Sequence, residues 1–216
     1  MPDYKAPIRD IQFVLYDLLE AEGHYQSIGA EEATRDLVDA IISEGSKFAE
    51  SILAPLHQIG DKEGCKFNNG VVTTPPGFKE AYAKYVAGGW PSLAGDPEYG
   101  GQGLPGSLSV VINELVSTAN WAWEMYPGLS QGAKLTLAAY GSEAQKKTYL
   151  SKLTSGEWTG TMCLTEPHCG TDLGLLKTRA QPDANGGYRI DGTKIFISAG
   201  EHDMAENIVH IVLARL

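Results

Sequence analysis

Two short stretches carry the side chains best suited to chemistry. Residues 162–172 read MCLTEPHCGTD, and residues 192–203 read GTKIFISAGEHD. In the first, a β-forming run ends at Pro167 and passes into a loop of short hydroxyl and acidic side chains. Gly170 lets a ligand approach the main chain, and Thr165 and Thr171 add hydroxyl donors. Such a loop can aim successive amides at an anion or a ring oxygen. A plain strand-ending turn fits the same letters. The second stretch repeats the arrangement after a hairpin: a strand bearing Phe196 and Ile197, then the hydroxyl of Ser198 and a turn of small residues. Two strands of one sheet that end in this way can together hold a flat heterocycle by its edge and face.

Other chemistry-bearing residues point elsewhere. Cys163, His168, Cys169 and His202 could be drawn around zinc, but the C-x4-H-C spacing is not a usual ligand set. His24 and His57 fall on helical patterns, where histidine is commonly a surface or satisfied core residue. His210 sits inside an apolar strand and is expected to be buried and neutral, or to face a subunit contact. Trp121, Trp123 and Tyr126 form an aromatic cluster at the end of the clearest helix, and core packing is its default reading. A Cys–His nucleophile would need an orienting partner that the sequence does not offer.

The elements that position these stretches change character near residue 157. Before it, apolar residues recur at helical spacing. One stripe runs through Ile11, Val14, Leu15, Leu18 and Leu19 after Pro7. A longer one, Leu37 to Leu53, ends near Pro55 or a turn or two beyond. Phe78, Tyr82 and Tyr85 mark a short helix, Leu108 to Ala119 a clear one, and Leu129 to Tyr140 another. Ser142 and Gln145 read as a capping box opening a last helix, with Gly156 just past its end. After residue 157 the pattern is that of strands: Trp158 to Thr165, Thr178 to Gln181, Tyr188 to Ile190, Lys194 to Ser198 across a tight turn at Asp191–Gly192, and Ile208 to Leu213. The last of these looks buried on both faces. A sheet ending on such a strand needs further partners, so the chain reads as the front part of something longer. Two long loops, roughly 61–77 and 88–106, are either functional or plain surface connections. The fold expected is α+β, with an all-α bundle at 1–157 and the start of an antiparallel β-barrel or sandwich at 158–216.

Composition narrows the classes. The 216 residues include 17 basic and 27 acidic side chains, for a net charge of −10. There is no basic stripe of the kind that binds nucleic acid. No apolar run approaches the ~20 residues that span a bilayer, and the first ten residues lack a secretory core. Three cysteines do not make a disulfide framework, which points to a reducing, cytoplasmic setting.

Together these segments resemble the acyl-CoA dehydrogenase family of flavoproteins. The resemblance rests on the pair T-E-P-x-x-G-[ST]-D and G-x-K-x-[FW]-I-[ST], on PEYGGQGLP at 97–105, and on the order of a helical domain before a β domain. The opening YKAPIRDIQFVLYDLL resembles the extra N-terminal helix of the larger bacterial members, the fatty-acyl-CoA and 3-methylmercaptopropionyl-CoA dehydrogenase group. The resemblance implies FAD as cofactor. It assigns Met162, Leu164 and Thr165 to the pyrimidine end of the flavin, and Gly170 and Thr171 to its pyrophosphate loop, with Thr171 also near the thioester ligand. It sets Phe196, Ile197 and Ser198 against the ring. It implies α,β-dehydrogenation of an acyl-CoA to the trans-2-enoyl-CoA, electrons passing to an electron-transfer flavoprotein, in a homodimer or homotetramer without metal. The family's base is a glutamate of a C-terminal helical domain, and none of Glu157, Glu166 or Glu201 matches it; Glu166 is expected to serve loop structure.

Two departures stand out. Many members carry Trp where Phe196 stands, so an indole N–H is lost while an aromatic face remains. His168–Cys169–Gly170–Thr171 replaces the usual G-A-G-S, adding bulk before Gly170 but keeping the hydroxyl. Two other readings remain beside this one: a flavin-dependent oxidase or monooxygenase of the same architecture, and a non-catalytic helical binding module.

Overall fold

The computed structural model describes residues 4–216; Met1–Asp3 of the opening stretch lie outside them. Helix α1 (Ile8–Gln12) follows Pro7 and continues through a widened turn, Phe13–Leu18, closed by a 3.0 Å bond from the Leu19 amide to the Val14 carbonyl. That five-residue step breaks the 3.6-residue register. Ile11 and Leu15 therefore face the core, whereas Val14, Leu18 and Leu19 of the expected stripe are exposed. After α2 (Ala21–Ser27), α3 (Arg35–Phe48) begins where the Thr34 hydroxyl accepts the Leu37 amide. It runs on through a second widened turn, Ala49–Leu53, into α4 (Ala54–Glu63). Pro55 has no N–H to give the preceding turn, and the widening carries the helix past it.

The first long loop contains a small hairpin, β1 (Lys66–Asn68) and β2 (Val71–Thr73), paired antiparallel with Asn68 opposite Val71. Asn69 and Gly70 take positive φ values of 49° and 88°, the conformation that an Asn-Gly pair favours in tight hairpins. Helices α5 (Phe78–Ala87), α6 (Gly106–Ala119) and α7 (Trp121–Tyr140) follow. The loop between α5 and α6 folds on itself: amides of Gln102, Gly103 and Leu104 donate to the carbonyls of Ser92, Gly95 and Leu93 at 2.9–3.0 Å. Gly101 there crosses directly over Gly95, leaving no room for a Cβ.

The aromatic cluster belongs to the start of α7 rather than to the end of α6. Trp123 is fully buried among Phe48, Tyr82 and Tyr85, and its indole N–H donates to the Phe78 carbonyl at 3.1 Å. Tyr126 is also buried, but Trp121 is exposed. Helix α8 (Glu143–Gln145) opens with the expected capping box: Ser142 accepts the Gln145 amide and the Gln145 side chain accepts the Ser142 amide. The chain continues through the turn Lys146–Leu150 into α9 (Ser151–Ser155) and leaves it at Gly156, φ 79°.

Strand β3 (Trp158–Cys163) then lies against α7. The Gly160 amide donates to the Ser130 hydroxyl at 2.9 Å, which itself donates to the Tyr126 carbonyl. A Cβ on Gly160 would meet the Ala133 methyl at 2.5 Å, so only glycine lets the strand approach this closely. Strands β4 (Arg179–Pro182) and β5 (Tyr188–Asp191) form an antiparallel hairpin whose turn is tied by Asp183 to the Asn185 and Gly187 amides.

The α+β architecture stands, with three corrections inside the β part. First, β3 pairs in parallel, not antiparallel, with β6 (Asn207–Val212); the intervening chain is a long crossover, which parallel neighbours require. Second, β6 is half-exposed rather than buried on both faces, because among the described residues only β3 lies beside it. Third, residues 194–198 form no strand and Asp191–Gly192 no hairpin turn. Phe196 and Ala199 adopt φ values of 56° and 55°, which a pleated strand cannot contain.

Candidate functional site

The two chemistry-bearing stretches meet at the end of β3. The Ile195 amide donates to the Thr165 carbonyl at 2.9 Å, laying the second stretch beside the first. Lys194 reinforces the junction: its ammonium donates to the Leu164 carbonyl at 2.8 Å and to Glu166 Oε1 at 3.0 Å. Glu166 is 3% exposed and also accepts the amides of Lys177 and Thr178 at 2.8 and 2.9 Å. Its carboxyl lies far below the usual carboxylate range. The Thr178 hydroxyl beside it contributes most, though it stops short of a well-aligned bond; the two amides and Lys194 add to this against the cost of desolvation. Glu166 thus serves loop structure.

The turn after Glu166 is held by reciprocal backbone bonds between Glu166 and Cys169, of 2.8 and 3.1 Å. It brings His168 and Cys169 beside Glu166, with ligand atoms within 4.8 Å of one another. The carboxylate is already engaged by three N–H groups, and the His168 Nε2–H donates to the Leu175 carbonyl at 2.9 Å. The group acts as a turn brace. Cys163 and His202 stand apart from it. All three cysteines are free thiols.

The predicted contact residues line an open surface. The Cys163 carbonyl accepts from Leu213, on the β6 side. By strand alternation the backbone groups of Met162 face the other way, and the Leu164 carbonyl just past the strand is taken by the Lys194 ammonium. Met162 is exposed, Leu164, Thr165, Gly170 and Ile197 are half-buried, and Thr171 and Ser198 are exposed. A Cβ added to Gly170 would meet only Thr165 Cγ2, at 3.8 Å, so the main chain there is approachable. Phe196 is 87% exposed. Among the described residues no second strand lies beside β3, and that edge, short hydroxyls, an approachable glycine and an uncovered aromatic ring form a donor set suited to a planar polar heterocycle with a phosphate tail.

The far side of this corner is anchored by a histidine that sequence reasoning weighed only as a metal ligand. The buried His202 Nδ1 accepts the Met204 amide at 3.1 Å, so its Nε2–H donates to the Thr159 hydroxyl at 2.9 Å. The Tyr126 ring meets it edge-on, and the neighbouring Asp203 accepts both the amide and the hydroxyl of Thr74. The signal for this anchor lies in contacts across the chain, not in local pattern. His210 is exposed, not buried, with Nδ1 2.6 Å from the Thr161 hydroxyl, which overturns the first of its two expected settings and leaves the second, a subunit contact.

Burial lowers the His202 pKa from its ordinary 6.5, against the opposing charges of Glu201 and Asp203. A histidine held neutral costs nothing above pH 6.5. Below that value the unfolded chain takes up a proton that the folded chain resists, so stability declines as pH falls. The expected result is a lower denaturation midpoint at pH 5.5 than at 7.5 in the complete protein, with a smaller decline in His202→Gln. An equal decline in both would assign the effect to other groups.

Comparison with known proteins bears on this corner and on the helices below it. Residues 38–157 match a model of the acyl-CoA dehydrogenase N-terminal domain family. The 3-methylmercaptopropionyl-CoA dehydrogenase of Ruegeria pomeroyi is 44% identical over 98% of the chain and 36% of its own length. A butyryl-CoA dehydrogenase of Syntrophomonas wolfei is 34% identical over 99% of the chain and 36% of its own length. Among solved structures, butyryl-CoA dehydrogenase from Megasphaera elsdenii superposes with a TM-score of 0.68 at 25% identity, covering 84% of this chain and 44% of that one. An acyl-CoA dehydrogenase from Bacillus anthracis complexed with FAD gives a TM-score of 0.66 at 26% identity, over 85% and 29%. The chain spans about a third of the length of these curated relatives.

Proposed function

The chain belongs to the acyl-CoA dehydrogenase family, and on that premise we propose that the complete protein is an FAD-dependent acyl-CoA dehydrogenase to which this chain contributes part of the flavin site. The bond between Ile195 and Thr165 carries the reading, because it unites the two stretches into one surface. Residues 1–157 are the N-terminal helical domain with its extra helix, and 158–216 the first part of a middle β domain.

The donor set fits FAD. Backbone groups of Met162 and Leu164 and the Thr165 hydroxyl would meet its pyrimidine edge. The amide at Gly170 and the Thr171 hydroxyl would hold the pyrophosphate, with Thr171 also near the thioester ligand. Phe196, Ile197 and Ser198 would cover the ring. Bound there, the flavin would supply the hydride acceptor for the β-hydrogen of the acyl thioester. This chain's task is to orient the ring, exclude water and present N–H and O–H dipoles where negative charge accumulates. The base that removes the α-proton lies outside this chain, and electrons leave to an electron-transfer flavoprotein. We place the protein in the cytoplasm, as a homodimer or homotetramer; no described helix is long and apolar enough to cross a membrane.

The visible spectrum of the complete protein tests the reading. A flavin band that bleaches anaerobically on adding an acyl-CoA supports it. A colourless protein, or a band unmoved across a broad acyl-CoA panel, sinks it. Within that protein, Thr165→Val removes one donor worth about 0.5–1.5 kcal/mol. FAD affinity should fall roughly two- to tenfold, read by titrating the apoprotein. Unchanged affinity and reduction rate would remove Thr165 from the site.

A further inference from the structure

We propose that Glu166 and Lys194 are a positioning pair that sets the register of the two flavin-facing stretches and balances the charge presented to the ring. The inference rests on the flavin reading above. Twenty-eight residues separate the two side chains, yet Glu166 is buried and Lys194 largely covered: 2% and 10% of their side chains remain exposed. Lys194 touches the Leu164 carbonyl and Glu166 together, and its neighbour Ile195 binds Thr165. One ammonium therefore ties the main chain just before Thr165 to the carboxylate just after it. On the opposite side, Glu166 reaches the Lys177 and Thr178 amides, and so also fixes the chain that enters β4.

The pair is close to neutral seen from a distance, but neither half is. Removing one partner leaves the other buried without compensation. Without the carboxylate, the Lys194 cation stays beside Leu164 and favours the added electrons of reduced flavin. Without the ammonium, the carboxylate is still held in its charged form by two amides and disfavours them. The two losses therefore act on the flavin with opposite sign, which a purely structural brace would not produce.

The test uses the complete holoprotein and reads FAD affinity and flavin midpoint potential. Glu166→Gln should raise the potential and Lys194→Met should lower it, with FAD held about tenfold or more less tightly in each. The double variant E166Q/K194M, which removes both charges, should return the potential toward the parent value, and Lys194→Arg should keep both properties near the parent. Should a single variant fail to fold or lose FAD outright, the double variant and Lys194→Arg decide. A double variant shifted far from the parent, or an arginine variant that behaves as the methionine one, overturns the proposal. Single-variant potentials that move together, or do not move, overturn it as well. A parent protein that binds no flavin at all refutes the broader reading instead, and this inference falls with it.

Discussion

Replacing Trp123 by alanine is expected to cost about 3–5 kcal/mol of folding stability, the range for deleting a large aromatic side chain from a packed core. Trp123 is 0% exposed, with ring centroids of Phe48, Tyr82 and Tyr85 at 5.4–6.3 Å. Its indole N–H donates to the Phe78 carbonyl at the start of α5, a bond that truncation removes. Three helices, α3, α5 and α7, converge on that ring, so the cavity cannot close by moving one side chain. Chemical denaturation of the complete protein should show a lower midpoint with an unchanged slope. Trp123→Phe, which keeps most of the volume, should lose clearly less. Equal losses would mean that the indole bond, not the packing, dominates.

Gly101→Ala should lower stability by about 3 kcal/mol, the upper end for forcing atoms into a filled space, or roughly 6–12 °C in melting temperature. The added methyl would fall inside the Gly95 carbonyl carbon and oxygen, which are backbone atoms with nowhere to rotate. Relief requires breaking the ladder between residues 92–95 and 102–104. Gly106→Ala is the comparison. It lies at the start of α6 with open space around its Cβ position, and should be neutral or slightly stabilising. A mild Gly101→Ala variant would show that the loop can separate freely from its own crossing.

The helical half was largely legible because its information is local. The capping box at Ser142, the stop at Gly156 and the stripe of α6 each depend on residues a few positions apart, and each is found in place. Legibility failed where one turn departed from regular geometry. The widened turn after Gln12 moved Leu18 and Leu19 off the buried face without any proline or glycine to announce it. The Asn69–Gly70 hairpin carried a proper signal that went unread inside a presumed loop, whereas Asp191–Gly192 carried the same kind of signal and makes no hairpin.

The candidate site was read in part. The two stretches singled out by their letters do lie side by side, joined by the Ile195–Thr165 bond. The left-handed backbone at Phe196 was not visible in a run of β-branched and aromatic residues that favours strand. The bonds that hold this segment reach far along the chain: Ile195 to the Thr165 carbonyl, Lys194 to the Glu166 carboxylate, and His202, just beyond it, to Thr159. Contacts of that separation leave no periodic trace.

The Ser130 hydroxyl that receives Gly160 has a consequence for recombining this protein with its relatives. The helices and the first strand are not exchangeable cassettes. A graft joined in the short link between Ser155 and Trp158 would have to import position 130 and position 160 from one parent, because a Cβ at 160 would run into Ala133 and loss of the hydroxyl at 130 would leave the Gly160 amide without its partner.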